Sequence, residues 1–497
     1  MNAKGILEDF KKKLGKRYFP YSRSVREVNQ NFLFMVKGEK KKYLIIMGKS
    51  LLGGFRGSVI GRIKRENTHL SLKLAELSHE NMEKLRQIFP WLSPSPVGSK
   101  ASFGAGDRLG IATPGHIRAL RDHRVLPVLA QQSIREISRT KRTLEEVMDS
   151  ALWGCFQEGY EDPFGADADH LKKMDDLKKA ARIGYSMFTI DPSDFVRADL
   201  AIRGKTEIDE IYQSMEGVGE LERLYLERNY SIKGNELQFE RELLKNIIVT
   251  YLPAIRYAIK CYRYLKDYKK EGFDFEVSVD ETPFPTSPLA HIFIAEELHR
   301  NQVDFQNLAL RFVGDFQKGI DYIGDLDELE RELDLHAAIA RNFGGYKLSL
   351  HSGSDKFSVY PIFKEKTRGF FHVKTAGTSW LEAVRVIARK DPSLYRRFHL
   401  FALKSFEKDK SSYHVTTNIS RIPDLNTIPD EKLETFLDKE NSRQLLHLTY
   451  GSILSSMDEK GNFLYRDKIY RDLFQYEEEH YSTVSSHIDK HLRLLGL

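Results

Sequence analysis

Charged and imidazole side chains recur just after short apolar runs along this chain. They are Asp107 and Arg108, Gln131 and Gln132, Asp167, Asp169 and His170, Asp191 and Asp194, Asp280 and Glu281, Asp315 and Gln317, His351 with Ser352, Ser354, Asp355 and Lys356, and His372 with Lys374. Imidazole nitrogen combined with carboxylate oxygen is a ligand set for a divalent cation such as zinc, manganese, nickel, iron or cobalt. His170, Glu281, Asp315 and His351 end four different runs, so any fold that gathers strand ends would bring them together. An acidic residue after a strand can equally cap the next helix, worth about 1 kcal/mol, and Asp191, Asp194 and Asp355 carry that second reading. Arg108, Lys356 and Lys374 add cations, while Gln132, Ser354 and Thr378 add neutral hydrogen-bonding groups. Together with Asp107 they suit a polyhydroxylated anion. No GxxxxGK[ST] or GxGxxG pattern is present to bind a nucleotide. The KTAGTS stretch at 374–379 reads either as a tight turn before a helix or as a phosphate nest.

The runs that must position these groups are ASFGAGD at 101–107, VLPVLAQQ at 125–132, PFGADADH at 163–170, YSMFTID at 185–191, FEVSVDE at 275–281, LALRFVG at 308–314, YKLSLHS at 346–352 and GFFHVKT at 369–375. Helical patterns separate them, which implies parallel pairing through crossovers. Eight such units predict an α/β fold, a (β/α)8 TIM-type barrel over 99–389, with an open doubly wound sheet as the rival. Residues 1–98 read as a small N-terminal α+β module, with a hairpin signal at 31–47 and a Pro/Ser/Gly-rich linker at 89–99. Heptad-like apolar spacing predicts a helical insertion at about 200–270, expected over a barrel rim. Residues 390–497 predict a helical C-terminal extension packed on the outside of the barrel.

Composition excludes several classes of function. Lys+Arg of 77 against Asp+Glu of 71 leaves only +6, with the two signs interleaved, and no aromatic-basic array suggests nucleic-acid binding. Two cysteines, Cys155 and Cys261, lie far apart in sequence, which indicates neither a disulfide framework nor a thiolate zinc site and fits a reducing cytoplasmic setting. Charges break the apolar runs of the N-terminal segment, so no signal peptide is expected, and no stretch of about 18 apolar residues predicts a membrane span. The sequence leaves homo-oligomer formation open.

GAGDRLGIATPGHIRAL at 104–120, FGADADHLK at 164–172, DETPFPTSP at 280–288, HSGSDKFSVYP at 351–361 and KTAGTSWLEAVR at 374–385 together resemble the tagaturonate epimerase family over most of the chain. The resemblance implies a metal-dependent 4-epimerisation of a keto-sugar acid, interconverting tagaturonate and fructuronate in hexuronate breakdown. For that chemistry we assign metal ligation to His170, Asp315 and His351 and acid/base work to Asp169 and Glu281, with Glu281 the likeliest alternative ligand. In such a substrate C4 is β to both carbonyl groups, so its C–H is not acidic. Retro-aldol cleavage between C3 and C4 avoids that difficulty, and no nicotinamide fingerprint supports oxidation and re-reduction. The competing readings are a metal-dependent aldose–ketose isomerase, an aldolase, or a non-catalytic sugar-acid-binding protein.

Overall fold

In the computed structural model, residues 3–65, 68–199, 204–411 and 413–497 are described. Strands Asn31–Lys37 and Lys42–Gly48 form the expected hairpin, pairing Asn31 with Gly48 and Lys37 with Lys42. They lie inside a six-stranded antiparallel sheet, where these two strands are buried on both faces. Alternation explains the two faces. Phe32, Phe34 and Val36 join the cluster of Ile6 and Phe10 from helix Ala3–Leu14, whereas Leu33 and Met35 face the main core. Phe10 meets Phe34 edge to face at 5.0 Å. The sheet is thus a layer between one helix and the barrel.

All eight predicted runs form strands: β1 (Ser102–Ala105), β2 (Leu126–Ser133), β3 (Gly165–Leu171), β4 (Met187–Ile190), β5 (Asp274–Ser278), β6 (Asn307–Ala309), β7 (Lys347–Leu350) and β8 (Phe371–Thr375). They pair in parallel in chain order, and β8 closes on β1 through His372–Ser102 and Val373–Phe103. The fold is a closed (β/α)8 barrel, not an open sheet. Strand period two sends Phe275, Val277, Phe371 and Val373 into the main hydrophobic core. The opposite parity fills the barrel interior with Asp167, Thr189, Glu276, Ser349 and Lys374, which contact one another. Polar layers thus stand where Val, Ile and Leu usually pack.

The expected insertion contains helices Lys205–Ser214, Val218–Leu226 and Arg241–Tyr268. It is not wholly helical, because Asn229–Ile232 and Asn235–Gln238 form a hairpin across Lys233 and Gly234, both at positive φ. Residues 200–203 of that segment lie outside the described residues. It packs sideways, Tyr225 against Phe293 and Tyr230 against Phe343, and its described residues line neither cavity at the barrel mouth. Helices Pro392–Lys410, Glu440–Ser455, Arg466–Gln475 and Glu477–Leu494 make up most of the C-terminal segment. The first three share a second core with helix Thr378–Lys390, and Val484, Ile488 and Leu492 of the last join the barrel core. No described helix is long and apolar enough to cross a membrane.

Candidate active site

A cavity of about 370 Å³ opens at the C-terminal ends of the strands, where barrel folds place their chemistry. Asp169, His170, Glu281, His351, Ser354, Lys374 and Arg108 all line it. Adjacent strand residues should face opposite ways. Asp169 and His170 both reach the site because the β3/β4 register shifts there and His170 turns to φ 54°. Ser352 and Asp355, after β7, are also at positive φ. Such non-glycine conformations cost about 1–3 kcal/mol and persist where the surroundings fix them, often at functional sites.

The rings of His170 and His351 stand 5.0 Å apart. His170 Nδ1 donates to Asp169 Oδ1 at 2.8 Å, which makes Nε2 the acceptor whenever the ring is neutral. His351 Nε2 donates to Glu276 Oε1 at 2.6 Å, and its Nδ1 lies 3.3 Å from Asp280 Oδ1. Donor atoms of His170, Asp280 and His351 lie within 4.8 Å of one another, and His170, Asp191 and Glu281 form an overlapping group. Each imidazole therefore offers one nitrogen inward while a carboxylate holds the other, the usual support for a metal-ligating histidine. Burial opposes charge on His170, yet Asp169, Asp191 and Asp280 outweigh it and pull its pKa up to about 10. His351 is raised in the same sense by Asp280 and Glu276 against its burial. Burial would raise Asp280, but the two imidazoles hold it well below the usual carboxylate range. The local field thus favours positive charge between the rings, and a divalent cation meets that demand with both imidazoles neutral. The donor set fits.

Beneath this group, Lys374 Nζ contacts Asp167 at 2.6 Å, Asp169 at 2.8 Å and Glu276 at 2.8 Å, and donates to Thr189. Three carboxylates outweigh the burial penalty and hold the ammonium charged. Asp167 is pushed up to about 6 by burial, which Lys374 offsets only in part. Glu281, also near His170, pairs with Arg135 at 3.2 Å and faces Lys172 at 3.9 Å.

Other expected site residues stand elsewhere. Asp315 lies in a loop beyond β6, pairs with Arg311 and lines an adjoining cavity together with His170, Asp280 and His351, but it is Asp280 whose carboxylate groups with the two histidines. Lys356 is enclosed by the carbonyls of Gln317, Ile320 and Ser354. Asp107 accepts the backbone N–H groups of Leu109, Gly110 and Ala112, a turn-building role. Gln132 lines a small internal void, whereas its neighbour Gln131 reaches the main cavity. Arg108 is neutralised by Glu136 at 2.7 Å and stacks over Tyr450. Ser354 Oγ accepts the Ala376 N–H. Glu276 sits mid-strand and was not among the expected residues, although a lone acid inside FEVSV marks the inward parity. Lys318, Tyr413 and His447 also line the cavity, and no local motif announces them.

A closed parallel barrel whose mouth joins paired carboxylates, a buried lysine and a histidine pair has the architecture of a barrel enzyme. The family model described as tagaturonate epimerase matches residues 21–495. The chain is 47% identical over 490 residues, 99% of each chain, to the tagaturonate/fructuronate epimerase of Thermotoga maritima. Native and glycerol-bound crystal structures of the fructuronate-tagaturonate epimerase of Cohnella laeviribosi superpose with a TM-score of 0.91 at 42% identity over 99% of each chain. The chain belongs to the tagaturonate epimerase family and is an isomerase.

Proposed function

We propose that this chain interconverts tagaturonate and fructuronate by inverting C4, in the cytoplasm, with a divalent transition-metal cation held by His170, Asp280 and His351. The convergence of these three donors carries the reading, with Asp169 and Glu281 lining the cavity beside the two histidines. When bound, the cation supplies Lewis-acid polarisation of the substrate's keto and hydroxyl oxygens. The chain's own groups handle the protons. A carboxylate at the C4 hydroxyl takes its proton as the C3–C4 bond breaks, and the electron pair passes into the C2 carbonyl. The aldehyde fragment rotates, the bond re-forms on its other face, and a second carboxylate returns the proton. Asp169 and Glu281 both stand next to His170 and serve these two orientations. Against its burial, His170 and then Lys374 keep Asp169 ionised, and Lys374, shared with Glu276, fixes its direction. The test is incubation of the metal-replete protein with tagaturonate. Fructuronate as product supports the reading, whereas an aldose product or permanent cleavage would replace it with isomerase or aldolase chemistry.

A further inference from the structure

One group of polar atoms in the same cavity takes no part in the proton handling described above. His447, on helix Glu440–Ser455, is buried and lines the cavity. Its Nε2 lies 3.1 Å from an Arg108 guanidinium nitrogen. A guanidinium only donates, so Nε2 accepts and the ring proton sits on Nδ1. That Nδ1–H has no hydrogen-bond partner. A buried donor left unpaired costs about 1–3 kcal/mol, so it marks a place for an acceptor. Burial and the Arg108 charge hold the ring well below its ordinary pKa, and it stays a neutral donor.

The Nδ1 edge is wedged between two glycines. A Cβ added at Gly377 would stand 2.5 Å from it, and one at Gly319 would stand 3.1 Å away. Gly377 is the N-cap of helix Thr378–Lys390 and has no side-chain cap, so the positive end of that helix's dipole lies next to the His447 ring. Lys318 lines the same cavity and donates to the neutral Ser352 hydroxyl at 2.6 Å. Its charge is not consumed there, unlike those of Arg108 and Lys374.

We propose that His447, Lys318 and the N-terminus of helix Thr378–Lys390 form the subsite for the carboxylate of a sugar-acid substrate, and so select uronates over neutral ketoses. The assignment rests on the epimerase reading for the identity of the ligand. It moves anion recognition from Lys356 and Lys374 to groups whose hydrogen-bonding capacity is unspent.

Calorimetric binding of tagaturonate, neutral tagatose and tagatose 6-phosphate to metal-replete wild type, Lys318→Gln and His447→Phe tests it. A charge-assisted hydrogen bond contributes about 1.5–3 kcal/mol, so each variant should weaken the acid roughly 10–100-fold and tagatose by less than about twofold. An unchanged ratio of acid to neutral affinity in both variants would overturn the subsite, even with epimerisation intact. A sugar phosphate held more tightly than the acid, and losing more in Lys318→Gln, would overturn the carboxylate assignment. Lys318-dependent binding of tagaturonate without turnover would support the subsite and remove the epimerase reading instead.

Discussion

Glu276→Gln isolates the support of one proposed ligand from the ligand itself. In the native site Glu276 accepts from His351 Nε2 at 2.6 Å and from Ser349 at 2.5 Å, and lies 2.8 Å from Lys374. Glutamine keeps the shape but loses the charge, and one of its terminal atoms becomes a donor. If that amide faces His351, the ring proton must move to Nδ1, the nitrogen beside Asp280, and the ligand is lost. Loss of such an outer partner typically lowers metal affinity about 10–100-fold, equivalent to about 1.4–2.8 kcal/mol. Lys374 retains Asp167 and Asp169, so the metal-free protein should lose no more than about 4 °C in Tm, as for a change of about 1 kcal/mol. Chelator competition gives the affinity, and melting of metal-stripped protein gives the control. Native metal affinity combined with a large fall in metal-free Tm would refute the reasoning and make Glu276 part of an ion-paired core only.

Chelation should abolish turnover, and a divalent transition metal should restore it; Asp280→Ala should lower bound metal and activity together, and full activity in metal-free protein would sink the metal site. Asp169→Asn and Glu281→Gln should each lower kcat in both directions by about 10²–10⁴-fold with binding retained, measured by single-turnover kinetics. Epimerisation in deuterated water should leave hydrogen at C4, since it stays on the aldehyde fragment, and deuterium at C4 in the product would revive direct proton abstraction. Asp355→Asn should destabilise the protein by about 3 kcal/mol in denaturant melts, because it strips the buried Arg443 of its carboxylate; a change under about 0.5 kcal/mol would contradict that role.

Period-two alternation and strand–helix succession made the barrel legible, since each run of four to eight apolar positions had to be a strand with its polar residues at one end. The same rule puts Asp169, His170 and His351 at the barrel mouth, where they line the cavity. It also selects Asp315, which stands farther out because β6 ends at Ala309 and the apolar LALRFV runs on into a loop. Lys374 was expected at the mouth with a free charge. Only the closed barrel shows that Asp167 and Glu276, both mid-strand, converge on it. The hairpin at 229–238 was hidden by the helical periodicity on either side of it, with Lys233–Gly234 its sole turn signal.

The groups no local pattern could reveal come mostly from the C-terminal segment, and their contacts explain why that segment accompanies the barrel. Arg443 donates to the Gly319 carbonyl at 2.8 Å and pairs with Asp355 at 2.7 Å, tying the loops after β6 and β7 together. His487 holds the other Asp355 oxygen at 2.6 Å, and the Asp355 N–H donates to His491. Arg108, after β1, reaches the His447 carbonyl at 2.9 Å and stacks on Tyr450 at 3.8 Å. Loops at a barrel mouth are ordinarily its most mobile parts, yet proton transfer demands donor–acceptor distances held near 3 Å. Helices 440–455 and 477–494 fasten three of these loops from outside, and His447 enters the cavity from the first of them. The family match accordingly runs to residue 495 rather than stopping at the last strand. Of the C-terminal helices, 440–455 thus lends His447 to the cavity wall, while 477–494 braces the loop after β7 from behind.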